Sequence, residues 1–114
     1  MRRDDDAILL DIAHAARLIG KFVAEKDEAT FREDELTQSA VLHQILVLGE
    51  ATKRLSPDFR TAHPEDPWAD IAGMRDKLIH EYEAVDFREV WNTARRDVPD
   101  LLEWVMPFLP ENEG

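Results

Sequence analysis

Residues 40–51, AVLHQILVLGEA, limit the fold more than any other part of this chain. Read as a helix, the segment is apolar almost all round, which is typical of a helix covered by neighbours on several sides. The sequence therefore predicts that it forms the central helix of a compact domain. Gly49, in its interior, costs about 1 kcal/mol relative to alanine. We expect the close approach of another helix to offset that cost.

The same helical periodicity continues on the N-terminal side. A second helix containing the central segment is predicted to run to about Leu55, with Asp34 or Thr37 as its cap. A first helix is predicted from Asp4 to about Glu25, because apolar residues recur there every three or four positions. These residues are Ile8, Leu9, Ile12, Ala16, Ile19, Phe22 and Val23.

Two polar stretches read as connections, and a last helix follows them. Residues 26–33 carry one large apolar residue, Phe31, which we expect to pack back onto the core, and residues 56–66 contain two prolines. A fourth helix is predicted from Asp86, with Pro99 expected to kink or split it. No stretch shows the sustained two-residue alternation of a half-buried strand. The prediction is an all-α fold, a compact bundle of four or five helices.

Length and composition favour one soluble domain. The chain has 114 residues, a net charge of −11 and no cysteine. We expect a single domain over residues 1–114, with an ordered core of about 4–109, and no thiolate metal site or disulfide. No apolar run approaches a membrane helix in length, and residues 1–20 are too charged for a signal peptide, so we expect a cytoplasmic protein. An acidic chain also lacks the basic footprint of a general nucleic-acid binder.

The third helix, predicted over residues 67–83, carries the most specific chemistry. Asp66 can cap it and Pro67 suits its first position. Arg75 and His80 are five residues apart, which leaves them about 140° apart around the axis. An apolar stripe on this helix is formed by Ile71, Met74, Leu78 and Tyr82.

Arg75 and His80 suit phosphodiester chemistry on RNA. A histidine can take and give a proton near neutral pH, and an arginine offers a permanently charged fork that fits a phosphate. Together they could support attack by a ribose 2′-hydroxyl on the adjacent phosphate, a reaction that needs no metal.

Plainer interpretations of these residues stay open. Asp76 lies four residues before His80 and could form an ordinary helix pair with it. Glu50 is either a carboxylate at the edge of the core with a basic partner, or a residue that supports a site from behind. Asp76 could have the same supporting role.

The string RDKLIHEY, residues 75–82, has the form R-x4-H-x-Y. It resembles the signature of HepT-like toxins in the HEPN superfamily of small helical proteins. Further segments resemble the family pattern in the same order, so the resemblance covers about residues 4–109. They are Gly49-Glu50-Ala51, Pro67-Trp68, Ile71-Ala72-Gly73-Met74-Arg75, Val85-Asp86 and Val90-Trp91.

The resemblance implies a HEPN-type bundle that forms a homodimer with a ribonuclease site in the cleft between protomers. It implies a toxin neutralised by a cognate minimal nucleotidyltransferase antitoxin, which adds AMP to the motif tyrosine. Carried over to this sequence, Arg75 and His80 would be catalytic, Tyr82 would be the modification site, RNA the substrate, and no cofactor would be needed. One position departs from the pattern, since Glu81 stands where many members have glycine.

The 140° offset and the family's dimer suggest how the site is built. We expect the third helices of two protomers to face each other across a two-fold axis, pairing Arg75 of one with His80 of the other. A second hypothesis of a different class is a non-catalytic helical partner, or substrate-binding subunit, of a nucleotidyltransferase. The net acidity and Glu81 favour this second hypothesis.

Overall fold

The computed structural model describes residues 3–64 and 68–110. These residues contain no strand, so the predicted all-α fold is confirmed. Single turns of 3-10 helix cover Tyr82–Ala84 and Met106–Phe108. In chain order the α-helices are α1 (Arg3–Val23), α2 (Glu28–Arg32), α3 (Glu35–Lys53), α4 (Pro57–Ala62), α5 (Ala69–His80), α6 (Phe87–Asn92) and α7 (Val98–Val105).

Helix α3 lies between α1 and α5, and α1 also packs against α7. The predicted central position of residues 40–51 is therefore confirmed. Their outer face is nevertheless open, since His43, Val47 and Glu50 are exposed. The apolar side chains of α3 that the bundle buries completely are Val41, Ile45 and Leu48.

At Gly49 the helices α3 and α5 approach each other closely. A β-carbon added there would lie 2.7 Å from the Cγ of Arg75 and nearer still to its Cβ, a separation that real side chains do not show. The expectation that a neighbouring helix explains this glycine is confirmed. The neighbour is α5, at the residue that the sequence selected for catalysis.

Two short helices occupy stretches that the sequence predicted as connections. In residues 26–33, α2 begins after Asp27, whose carboxylate accepts a hydrogen bond from the amide of Thr30 at 2.8 Å. Phe31 is fully buried as expected, against the rings of Phe87 and Trp91.

In residues 56–66, the prediction of a plain loop was wrong, because α4 forms there. The hydroxyl of Ser56 caps it by accepting from the amide of Phe59 at 3.1 Å. The buried carboxylate of Asp5 accepts in turn from the amide and hydroxyl of Ser56, at 2.9 and 2.6 Å. The start of α4 is thereby tied to the first turn of α1.

Pro99 interrupts the last helix without ending it. Between α6 and α7, residues Thr93–Asp97 form a widened π turn, in which the amide of Val98 donates to the carbonyl of Thr93, five residues back. A proline has no amide proton and its ring crowds the carbonyl four residues earlier, so a wider turn relieves both problems. The predicted split is therefore a local widening just before the proline.

Two sequence predictions concern residues that the structure does not describe. They are the start of the third helix at Asp66 and Pro67, and residues 111–114 after the predicted ordered core. Within the described residues, no helix combines the length and apolarity that crossing a membrane requires.

Candidate active site

Helix α5 has four faces, and Arg75 and His80 lie on two of them. Arg75 lies on the flank toward α3, where it contacts Glu50, and Lys77 lies on the flank toward α6, where it contacts Glu89 at 2.8 Å. That hydrogen bond raises the pKa of Lys77. His80 lies opposite the core and is exposed. The face that packs into the core consists of Ile71, Met74 and Leu78.

The guanidinium of Arg75 is held between two carboxylates. Its Nη2 donates to Oε2 of Glu50 at 2.8 Å, and its Nη1 donates to Oδ1 of Asp76 at 3.0 Å. Its aliphatic stem lies on Gly49, where no side chain intervenes. The side chain is only 22% exposed, and its direction is set by packing on Gly49 and by the ion pair with Asp76.

Asp76 is held from a second side by Lys53. The ammonium of Lys53 donates to the same Oδ1 of Asp76 at 2.9 Å, which links α3 to α5. Hydrogen bonds from Lys53 and then from Arg75 hold the pKa of Asp76 below its ordinary value. The proposed helix pair between Asp76 and His80 is not observed, because the carboxylate turns toward Arg75 and Lys53.

Tyr82 does not belong to α5, which corrects the predicted extent of this helix. Helical geometry ends at Glu81 (φ −137°, ψ 41°), and Tyr82 begins a 3-10 turn. Tyr82 therefore lies beyond the helix that carries the apolar stripe predicted to include it, and it is 60% exposed. The side chain of His80 makes no hydrogen bond or ion pair within residues 3–64 and 68–110. Both groups are thus open to an incoming partner or substrate.

An open groove of about 350 Å³ runs along the α3 flank of α5. Arg75 and Glu50 line it together with Leu46, Val47 and Ile79. Val47 and Ile79 are 37% and 49% exposed, which is unusual for such residues beside a charged pair. An anion that entered this groove would meet the guanidinium of Arg75.

The sequence did not single out Lys53, Val47 or Ile79. Lys53 lies three residues after Glu50, one turn along the same helix, and that spacing was a usable signal. Ile79 lies four residues after Arg75, so the helical period places it on the same flank. Of the described residues, no three His, Cys, Asp or Glu side chains stand together as a metal site would need.

Comparison with known proteins identifies the family. The model of the HepT-like family, described as ribonuclease HepT-like, matches residues 12–107. The chain belongs to the HepT-like family. The match contains α3, α5 and the turn that follows α5, and so it includes every residue of the candidate site.

Several named proteins are similar to this HepT-like chain over most of their length. One from Thermococcus cleftensis, named as a probable ribonuclease HepT, is 45% identical over 101 residues, which are 89% of this chain and 92% of that protein. One from Methanocaldococcus jannaschii is 38% identical over 100 residues, 88% of this chain and 86% of that protein. One from Caldanaerobacter subterraneus is 40% identical over 83 residues, 73% of this chain and 74% of that protein. The last two are named as putative RNases.

No solved structure gives a significant match to this HepT-like chain. The family is established by these comparisons, whereas the roles of Arg75, His80 and Tyr82 stay predictions that rest on chemistry and on the resemblance of the motif.

Proposed function

We propose that this protein is a metal-independent endoribonuclease that acts as the toxin of a toxin–antitoxin pair in the cytoplasm. The names of its relatives support RNA as the substrate. The observation that carries the proposal is the setting of Arg75. Its side chain is partly buried, packs on Gly49, forms ion pairs with two carboxylates, and is open to a groove on one side.

The proposed reaction uses two side chains. His80 takes the proton of a ribose 2′-hydroxyl, the 2′-oxygen attacks the adjacent phosphorus, and the bond to the 5′-oxygen breaks. The products are a 2′,3′-cyclic phosphate and a 5′-hydroxyl, because the departing 5′-oxygen takes up a proton from water and His80 then releases its own proton to the solvent. The fixed charge of Arg75 stabilises the negative charge that grows on the phosphate oxygens. Each step is a proton or phosphoryl transfer that these residues can support.

One protomer cannot easily present both groups to one phosphate. Arg75 turns toward α3, whereas His80 projects away from the core and lies about 7.5 Å further along the axis. We propose a homodimer in which α5 of each protomer faces its partner, so that each site pairs Arg75 with the His80 of the other chain. Exposed Val47 and Ile79, beside Arg75, supply apolar surface that such an interface could bury.

The proposed antitoxin is a minimal nucleotidyltransferase that adds AMP to Tyr82. The hydroxyl of Tyr82 is accessible, two residues beyond His80 in the turn that follows α5. An attached AMP would bring a negative phosphodiester and a bulky nucleoside next to the site, so RNA would be excluded by charge and by occupancy.

Cleavage of RNA in the presence of EDTA tests the proposal. We expect the purified protein to cleave single-stranded RNA without added metal. His80→Ala and Arg75→Ala should each lose at least about two orders of magnitude, the scale of removing a general base or a charge contact in the transition state. Both side chains are exposed or near the surface, so circular dichroism should show an unchanged fold. Full activity in His80→Ala would assign the cleavage to a contaminant or to other residues.

One observation favours the non-catalytic alternative. In the free chain both ends of the Arg75 guanidinium are already engaged by carboxylates. In a non-catalytic partner of a nucleotidyltransferase, these two ion pairs would be the whole role of Arg75. Expression without the partner separates the two hypotheses, because a ribonuclease toxin should arrest growth and degrade RNA, and His80→Ala should not.

A further inference from the structure

The two carboxylates that hold Arg75 are held unequally. Asp76 is a shared acceptor, bonded to Arg75 and to Lys53 through the same oxygen, at 3.0 and 2.9 Å. Glu50 is bonded at 2.8 Å to Arg75 alone among the described residues. The Glu50 side chain is 53% exposed and lines the open groove. The Nη1 end of the guanidinium is therefore fixed, whereas its Nη2 end is bonded to a carboxylate that can rotate into water.

The direction of Arg75 does not depend on Glu50. The stem lies against Gly49, and the Nη1 end is held by Asp76, which Lys53 holds in turn. Removing the Glu50 carboxylate would leave both restraints in place. Glu50 is therefore not needed to position Arg75.

A carboxylate and a phosphodiester are alternative acceptors for the same guanidinium. Both present two oxygens to the planar fork, and both form charge-assisted hydrogen bonds with it. A phosphate that entered the groove could bond to Nη2 only by replacing Glu50. Because a half-exposed ion pair contributes little free energy, such replacement is feasible.

We propose that Glu50 occupies the phosphate position on Arg75 in the free protein and is displaced when RNA binds. Glu50 is then a built-in competitor that sets the affinity of the site for the RNA backbone. This inference rests on the proposed function, in which Arg75 binds a phosphate of the substrate. It predicts that removal of the Glu50 carboxylate strengthens RNA binding, because a competitor is lost. If Glu50 positioned Arg75 instead, the same change would weaken RNA binding.

The test is direct binding to RNA that cannot react. A fluorescein-labelled oligonucleotide of mixed sequence, with every 2′-hydroxyl replaced by 2′-O-methyl, is titrated with the full chain at fixed salt. Glu50→Gln and Glu50→Ala are compared with wild type, with Arg75→Ala and with the double variant Glu50→Gln/Arg75→Ala. Glu103→Gln, on the exposed side of α7, makes the same change in net charge at a residue that does not line the groove.

We expect Glu50→Gln and Glu50→Ala to lower Kd about two- to fivefold, the range that a partly exposed ion pair controls. Glu103→Gln should have a smaller effect. In the Arg75→Ala background, Glu50→Gln should change Kd no more than Glu103→Gln does, because the guanidinium for which Glu50 competes is gone.

Two results would overturn the inference in distinguishable ways. If Arg75→Ala weakens binding but Glu50→Gln matches Glu103→Gln, or weakens binding itself, Glu50 is not a competitor, and the proposed ribonuclease site stands. If Arg75→Ala leaves Kd unchanged, Arg75 does not bind the backbone, and the proposed function fails together with this inference.

Discussion

The stem of Arg75 lies where a β-carbon of residue 49 would have to be. A larger residue at Gly49 must therefore push α5 away from α3 or distort the backbone at Arg75. Gly73 offers a matched contrast on α5, since a β-carbon added there would meet nothing within 4 Å.

We expect Gly49→Ala to lower the free energy of unfolding by about 1–3 kcal/mol, the usual cost of overpacking a close contact. Gly73→Ala should raise it by up to about 1 kcal/mol, because alanine is the better helix former. Urea unfolding followed by circular dichroism measures both. Equal stability of the two variants would mean that α3 and α5 do not approach as closely at Gly49 as described above.

Tyr82→Phe is expected to fold normally and to escape modification by the proposed antitoxin. The side chain is exposed, so loss of its hydroxyl should leave stability within about 0.5 kcal/mol of wild type. Intact-mass spectrometry after incubation with the nucleotidyltransferase and ATP is the measurement. A gain of AMP that persists in Tyr82→Phe would show that another residue is the acceptor.

At this scale the sequence selected candidate residues but not their partners. Arg75, His80 and Tyr82 were selected from one short string, residues 75–82, and their spacing can be read without knowing how the helices pack. The partner of Glu50 could not be read in the same way, since it lies 25 residues away on another helix. Pairing at that distance depends on how α3 and α5 cross, and helical periodicity does not fix that crossing.

At the scale of elements, the long helices were predictable and the short ones were missed. Periodicity needs several turns to show itself, and α2 and α4 have five and six residues. Their capping signals were nevertheless present, Asp27 before α2 and Ser56 followed by Pro57 for α4. The end of α5 was placed too late, because Tyr82 continued the apolar pattern past the point where Glu81 leaves helical geometry.

The cap of α3 is expected to make stability depend on pH. Asp34 accepts hydrogen bonds from the hydroxyl and amide of Thr37, at 2.7 and 3.1 Å, and pairs with Lys26 at 3.0 Å. These contacts lower the pKa of Asp34 from 3.8 to about 2, the bonds from Thr37 contributing most. A lowered pKa means that the stabilisation is complete above 3.8 and is lost as the pH falls toward about 2.

Asp34→Asn keeps an acceptor for the amide of Thr37 and removes the charge. Its melting temperature should lie below that of wild type near neutral pH, and the difference should shrink as the pH approaches the lowered pKa of Asp34. Thermal unfolding of both proteins across this acidic range is the measurement. A difference that stays constant throughout would mean that the charge of Asp34 adds no stability.

At the scale of the whole molecule, the proposed function requires an acidic protein to bind RNA, which is a polyanion. With a net charge of −11, the protein repels RNA at long range, so the proposed binding would depend on local groups such as Arg75. A dimer that brings two copies of Arg75 to one cleft would concentrate the positive charge where it is needed.

Mixed dimers test whether the site is shared between protomers. Arg75→Ala and His80→Ala chains, each inactive alone, are unfolded together and refolded as a mixture. If Arg75 of one chain works with His80 of the other, each heterodimer contains one intact site, and the mixture should regain roughly a quarter of wild-type activity. No recovery, or a monomer in light scattering at micromolar concentration, would exclude the shared site.

Because Gly49 and Arg75 are in contact, we expect evolution to tolerate substitution of Arg75 more readily than substitution of Gly49. A β-carbon at residue 49 would collide with the Cβ of Arg75 itself, and every amino acid except glycine has that atom. A descendant that exchanged Arg75 for another residue would still need glycine at residue 49. Glycine at this position therefore records the spacing of two helices and would persist in lineages that keep the bundle after RNA cleavage has been lost. The residue at position 75 would be the one that distinguishes such lineages.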